Sequence, residues 1–341
     1  MPKHNFKPVR GRIEYIEIDS SALKNNVLGD PTTRVVAVYL PEDYDSSTEE
    51  YPLLVDIVGF TGSGLGHIAW KAFGESVPQR VDRLVAEGKM GQVIVALPDC
   101  FTSLGGNQYI NSSALGNWAD FLNLEMIEAI ESQYRVKKGA NHRGIFGKSS
   151  GGYGAIIHGM LYSDIWGAIA CHSGDMDFDL CYRGDMAGVL AGLAAYKGGI
   201  SEFMGNLEAG KKVSGSSMNL LMILAMAATY DPDPEQPYGI RLPVTTDTCE
   251  LIDERWQNWL AWDPVRMILR QDVQASLRNL KGIYVDCGAK DQYNLVYGAR
   301  QLRNQLQELN IPHQYEEFAD NHSSVDYRMD VSLPYLYQAI S

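Results

Sequence analysis

Residues 143–155 read Arg143-Gly144-Ile145-Phe146-Gly147-Lys148-Ser149-Ser150-Gly151-Gly152-Tyr153-Gly154-Ala155. A short apolar run ends in Gly-x-Ser-x-Gly, and a Gly/Ala-rich helical segment follows. Glycines two positions either side of a serine let the backbone turn sharply from strand to helix without Cβ clashes, so that the hydroxyl projects from the turn. This makes Ser149 a candidate nucleophile. The same turn sets a helix N-terminus beneath the serine, and the N–H of Ser150 then faces any oxyanion formed there. Gly147-Lys148-Ser149 also resembles the tail of a phosphate-binding loop, but that motif needs a glycine five positions before Gly147, where His142 stands. In a chain with 33 glycines the pentapeptide could arise by chance, so its partners must be found elsewhere.

Working outward, the flanking sequence alternates between strand and helix. Residues 11–18 and 34–40 read as strands at a sheet's edge, residues 52–58 and 92–98 as buried parallel strands, and residues 166–171 as the strand after the nucleophile helix. Helical spacing marks residues 77–87 and 118–134, and the nucleophile helix runs to Leu161. The polar loop 99–117 is long enough to expect a functional role. After residue 282 a strand, a helix from about Asn294 to Leu309, a strand at 313–318 and a last helix at 327–340 complete the pattern. Such alternation implies a parallel sheet with helices on both faces, its active residues in loops beyond the carboxyl ends of the strands.

Ser149, Asp291 and His322 each fall just past a strand end, in the order Ser, Asp, His. His172 also follows a strand but precedes every later candidate acid. His67, His142, His158 and His313 read as surface or packing residues. Asp286 lies inside its strand and is expected to be a buried carboxylate satisfied by neighbouring backbone, which favours Asp291 as the acid. Asp320 stands too close to His322 in sequence to orient it. The glycine-rich loop Gly59-Phe60-Thr61-Gly62-Ser63-Gly64 follows the strand 52–58 and offers the N–H of Phe60 as a second oxyanion donor.

With these residues in hand, the chain resembles the putative-esterase family of α/β hydrolases, which includes esterase D (S-formylglutathione hydrolase), feruloyl and acetylxylan esterases, enterochelin esterases and the antigen 85 mycolyltransferases. The resemblance rests on residues 147–155, on Asp286-Cys287-Gly288-Ala289-Lys290-Asp291 and on His322, and it covers most of 30–175 and 262–325. Ser150 stands where that family usually has Met, and Val58-Gly59 replaces its more frequent His-Gly. The implied fold is a mostly parallel eight-stranded sheet with helices on both faces. The implied activity is cleavage of carboxylic esters through an acyl-enzyme, with a thioesterase, an acyltransferase or a non-catalytic binding module as alternatives. No metal or organic cofactor is expected, and the residues give no substrate-binding set. Residues 175–262 change character, with Gly, Ala, Met and Leu at helical spacing, and read as a helical cap inserted between core segments 1–174 and 263–341.

Composition narrows the partners. A formal charge of −13, from 29 basic and 42 acidic residues, disfavours nucleic acid and anionic membranes and suits a small-molecule ester. The longest apolar run, Leu220 to Ala228, is too short to span a bilayer and reads as a buried helix. Five scattered cysteines without a CxxC pair fit neither a disulfide framework nor a zinc site. They point to a reducing compartment, and the opening Met1 to Pro8 lacks the apolar core of a secretory signal. The expectation is a cytoplasmic enzyme, with a homo-oligomer possible.

Overall fold

The computed structural model describes residues 6–210 and 212–341; the start of the N-terminal stretch weighed above as a leader lies outside them. Eight strands form one sheet: β1 Arg12–Asp19, β2 Thr33–Leu40, β3 Leu53–Ile57, β4 Ile94–Pro98, β7 Arg143–Lys148, β8 Ala168–His172, β9 Gly282–Gly288 and β10 Gln314–Phe318. A two-stranded hairpin, β5 Asn111–Ser112 and β6 Gly116–Asn117, lies within the long loop 99–117. Sheet order is β1-β2-β4-β3-β7-β8-β9-β10. In this sheet β2 pairs antiparallel with both β1 and β4, while β4, β3, β7, β8, β9 and β10 run parallel. β1 lies at the edge as expected, but β2 sits one place in, because its run of buried residues from Val36 to Leu40 needs cover on both faces.

Successive residues of the inner strands enter opposite cores. Leu53, Val55 and Ile57 join one apolar cluster and Leu54 the other. The smaller cluster lies under the helices Val77–Ala86 and Met329–Ile340, and the larger includes buried residues of Ser150–Leu161, Gln271–Asn279 and Leu295–Glu308. Helix Val77–Ala86 is set by a full capping box, with Ser76 and Gln79 exchanging side-chain-to-backbone bonds, and by Pro78 in its first turn. The helix expected over 118–134 forms over 118–133, with a π-helical middle, Phe121–Met126. From that π segment the Asn123 side chain accepts from Trp166 Nε1 at 2.7 Å and contacts His158 Nδ1 at 3.1 Å.

Residues 175–262 carry the helices Met186–Leu193, Gly199–Ala209, Gly215–Tyr230 and Asp253–Leu260. Gly215–Tyr230 contains the longest apolar run, buried as expected from Leu220 onward except at the half-buried Met222. Its C-terminal Tyr230 joins Tyr153, Phe178, Tyr182 and Trp259 in an aromatic cluster that ties this segment to the nucleophile helix. No helix of the described residues is long and apolar enough to cross a membrane.

The order β4-β3-β7-β8 contains a reversal. The chain leaves β3 for β4 on one side and leaves β7 for β8 on the other, which opens a crevice beyond the carboxyl ends of β3 and β7. The loop after β3 and the turn after β7 both open there.

Candidate active site

Ser149 occupies the turn between β7 and helix Ser150–Leu161 with φ 58° and ψ −123°. A non-glycine residue in that region is strained by about 1–3 kcal/mol and persists only where its surroundings fix it. Three contacts do so. The Ser149 N–H donates to His172 O on β8 at 2.9 Å, and the backbone packs so closely on β3 that a Cβ at Gly147 or Gly151 would lie 2.1 or 2.0 Å from Ile57 O. The two glycines of the motif are thus required by the approach of a neighbouring strand as well as by the turn itself.

Ser150 is the first residue of the helix, where the N–H has no carbonyl one turn back to bond. Across the crevice the Gly59–Thr61 loop approaches the serine. A Cβ on Gly59 would stand 3.3 Å from Ser149 Cβ. Phe60 is held from behind by the loop 99–117: Gly106 N–H donates to Phe60 O at 2.6 Å, and a Cβ on Gly106 would fall 2.3 Å from that oxygen. Tyr109 OH bonds Val58 O at 2.5 Å.

Asp291 and His322 come from the loops after β9 and β10. His322 Nδ1 lies 2.8 Å from Asp291 Oδ2, and both residues are buried. The His322 N–H donates to Gln292 Oε1 at 3.0 Å, and Tyr293 packs edge-on against the imidazole at 4.9 Å between centroids. With Nδ1 taken by the acid, Nε2 is the nitrogen left for a substrate-side proton. Ser149, His322, Gly59 and Phe60 line one cavity of about 310 Å³, walled further by Lys148, Asp175, Tyr182, Met218, Met222 and Tyr293.

The two residues set aside as base and acid, His172 and Asp286, bond each other. They are partners in the register of β8 and β9, so their side chains leave the same face of the sheet. His172 Nδ1 is 2.8 Å from Asp286 Oδ1 and its Nε2 2.8 Å from Ser332 Oγ, all three fully buried. Asp286 therefore departs from the expectation of a backbone-satisfied carboxylate: Tyr284 OH (3.0 Å) and Arg328 Nε (2.9 Å) complete its shell. Burial works to raise its pKa, but His172 and Arg328 outweigh burial and hold it below the ordinary carboxylate range. His67 is also more than a packing residue, since its Nδ1 lies 2.6 Å from the buried Asp56 of β3, the one charged side chain in that apolar run. Burial opposes protonation there, yet the charge of Asp56 leaves the His67 pKa raised.

Sequence reasoning missed Asp175, Gln108, Tyr182 and Tyr293. Asp175 carried the same signal as the triad, since it lies just past β8. Gln108 lay in a loop whose function was expected but whose contacts span 42 residues to Ser150. Among the described residues no group of three or more His, Cys, Asp or Glu side chains is arranged to hold a metal ion.

A family model described as "Putative esterase" matches residues 28–332. The chain belongs to the putative-esterase family. Ester cleavage is the activity of this putative-esterase family, and the α/β-hydrolase architecture recurs in solved structures similar to the chain. A ferulic acid esterase is 19% identical with a TM-score of 0.61, the match covering 98% of this chain and 100% of that one. An S-formylglutathione hydrolase from Agrobacterium tumefaciens is 13% identical with a TM-score of 0.61, covering 98% of both chains. FphF, a fluorophosphonate-binding serine hydrolase of Staphylococcus aureus, is 14% identical with a TM-score of 0.59, covering 96% of this chain and 98% of that one. No curated protein sequence matches this putative-esterase chain.

Proposed function

We propose that Ser149, His322 and Asp291 hydrolyse a carboxylic ester through an acyl-enzyme. The observation that carries this reading is one cavity lined by a strained serine and by an imidazole whose far nitrogen is bonded to a buried carboxylate. In the proposed cycle His322 Nε2 takes the Ser149 proton as Oγ bonds the acyl carbon. The N–H groups of Phe60 and Ser150 bind the resulting oxyanion. Collapse breaks the ester C–O bond, and the alcohol leaves with the proton held on His322. Water then adds to the acyl-enzyme with His322 again as base, releasing the acid and restoring Ser149.

Residues 175–262 act as a cap in this reading, because Met218, Asn219 and Met222 of helix Gly215–Tyr230 form one wall of the cavity. The five cysteines are all free, which favours work in a reducing, cytoplasmic setting. The acidic surface favours a small uncharged or cationic ester over nucleic acid.

The test is hydrolysis of p-nitrophenyl esters from acetate to laurate by the wild type and by Ser149→Ala, with a fluorophosphonate probe to label the serine. Serine-dependent turnover supports the reading. Added alcohols that divert product to new esters would make the chain an acyltransferase, and faster turnover of matched thioesters would make it a thioesterase. A folded protein that neither labels nor turns over would be a binding module.

A further inference from the structure

The proposed triad leaves the one other carboxylate of the cavity wall without a task. Asp175 lies just past β8, is 7% exposed, and lines the same cavity as Ser149 and His322. Its three hydrogen bonds come from neutral groups: Tyr182 OH at 2.8 Å, and Gln108 Nε2 and Ser150 Oγ at 3.5 Å each. All three fall on Oδ2, and among the described residues no hydrogen bond falls on Oδ1. Among the described residues no Lys or Arg pairs with this carboxylate, and Lys148 of the same cavity lies 4.0 Å from Asp326 instead. Beside it Gln108 Oε1 is buried with no partner, a second acceptor lacking a donor.

A buried carboxylate without a cation is costly, and the cost falls when a cationic donor arrives. Burial raises the pKa of Asp175 despite the opposing Tyr182 hydrogen bond and the nearby His322, so the desolvation of this carboxylate is not offset by what surrounds it. A hydroxyl would supply one hydrogen bond and leave the charge in place, whereas an ammonium supplies both several donors and the opposite charge. The net charge of −13 also draws cations toward the molecule.

We infer that Asp175 is a specificity residue, its carboxylate receiving a protonated amino group carried by the ester substrate. The inference rests on the esterase reading above.

Matched p-nitrophenyl esters test it, with a terminal ammonium replacing a terminal methyl: 3-aminopropanoate against butanoate, and 6-aminohexanoate against heptanoate. The wild type should favour the ammonium member of at least one pair by about tenfold or more in kcat/KM, the span of one charge-assisted hydrogen bond. Asp175→Asn, which keeps the side chain's shape, should collapse that ratio toward one. An equal loss on both members, with the ratio kept, makes Asp175 a structural residue and overturns the inference. So does the absence of ammonium preference in a wild type that cleaves the neutral esters through Ser149. A 6-hydroxyhexanoate ester preferred as strongly as the ammonium overturns the choice of a cation. If Ser149 neither labels with fluorophosphonate nor supports turnover of any ester, the esterase reading fails and the inference falls with it.

Discussion

Two Ser–His–Asp sets lie on one sheet, and the difference between them is access. In the first, Ser149 and His322 line a cavity together with Phe60, one of the two proposed oxyanion donors. In the second, Ser332, His172 and Asp286 are sealed among the helix Met329–Ile340 and strands β8 and β9, where no ester can reach. Ser149→Ala should therefore lower ester turnover by several orders of magnitude, leaving what the oxyanion hole and positioning supply; initial rates on p-nitrophenyl acetate check this. Asp291→Asn should cost on the order of 10⁴ in kcat by loosening the imidazole's tautomer and orientation, with fluorophosphonate labelling slowed in parallel. Ser332→Ala should behave oppositely. It leaves His172 Nε2 without its partner and should lower unfolding stability by about 1–3 kcal/mol in urea melts, while labelling of Ser149 keeps its wild-type rate.

At the scale of elements, the site depends on backbones that touch. The turn that carries Ser149 leans on Ile57 O of β3, and the loop of Phe60, the proposed oxyanion donor, leans on Gly105 and Gly106 of the long loop. Gly106→Ala should displace Phe60 and cost about 10²–10³ in kcat, the usual effect of losing one oxyanion donor. A comparable loss of stability in place of a kinetic loss would show that the loop yields instead. These contacts also explain what the residues alone conveyed. That Ser149, Asp291 and His322 each follow a strand end was legible, because strand ends are a property of local sequence. The cradle of Phe60 by Gly106 and the bond of Gln108 to Ser150 were not, because a loop's sequence does not say which distant segment it will pack against. The π segment Phe121–Met126 was hidden for a related reason: its apolar spacing suits an ordinary helix, and its Asn123 finds Trp166 and His158 only in the folded core.

For the whole molecule, the strand succession sufficed to order the crevice, while side-chain chemistry across the sheet needed the register. The row Lys148, His172, Asp286 and Glu316 crosses β7 to β10 as direct partners, and nothing in four separate stretches announces that alignment. Two buried groups set an opposed pH response. Burial lowers His158 to about 4 and raises Asp263 to about 6, from ordinary values of 6.5 and 3.8. The folded state resists protonating His158, so that contribution to stability is present above pH 6.5 and is lost as pH falls toward about 4. Asp263 contributes the reverse, fully present below pH 3.8 and lost as pH rises through about 6. Each is worth on the order of 3 kcal/mol across its window, so the two largely offset. Asp263→Asn should unmask the histidine, and its melting temperature should climb more steeply than the wild type's between pH 4 and 6. Arg328 draws the molecule together in another sense. It reaches from the start of the last helix to Asp286 and Glu316, on the strands that precede Asp291 and His322. A chain cut before that helix is therefore expected to keep Ser149 on its turn and to lose the ties between the two strands that carry the proposed acid and base.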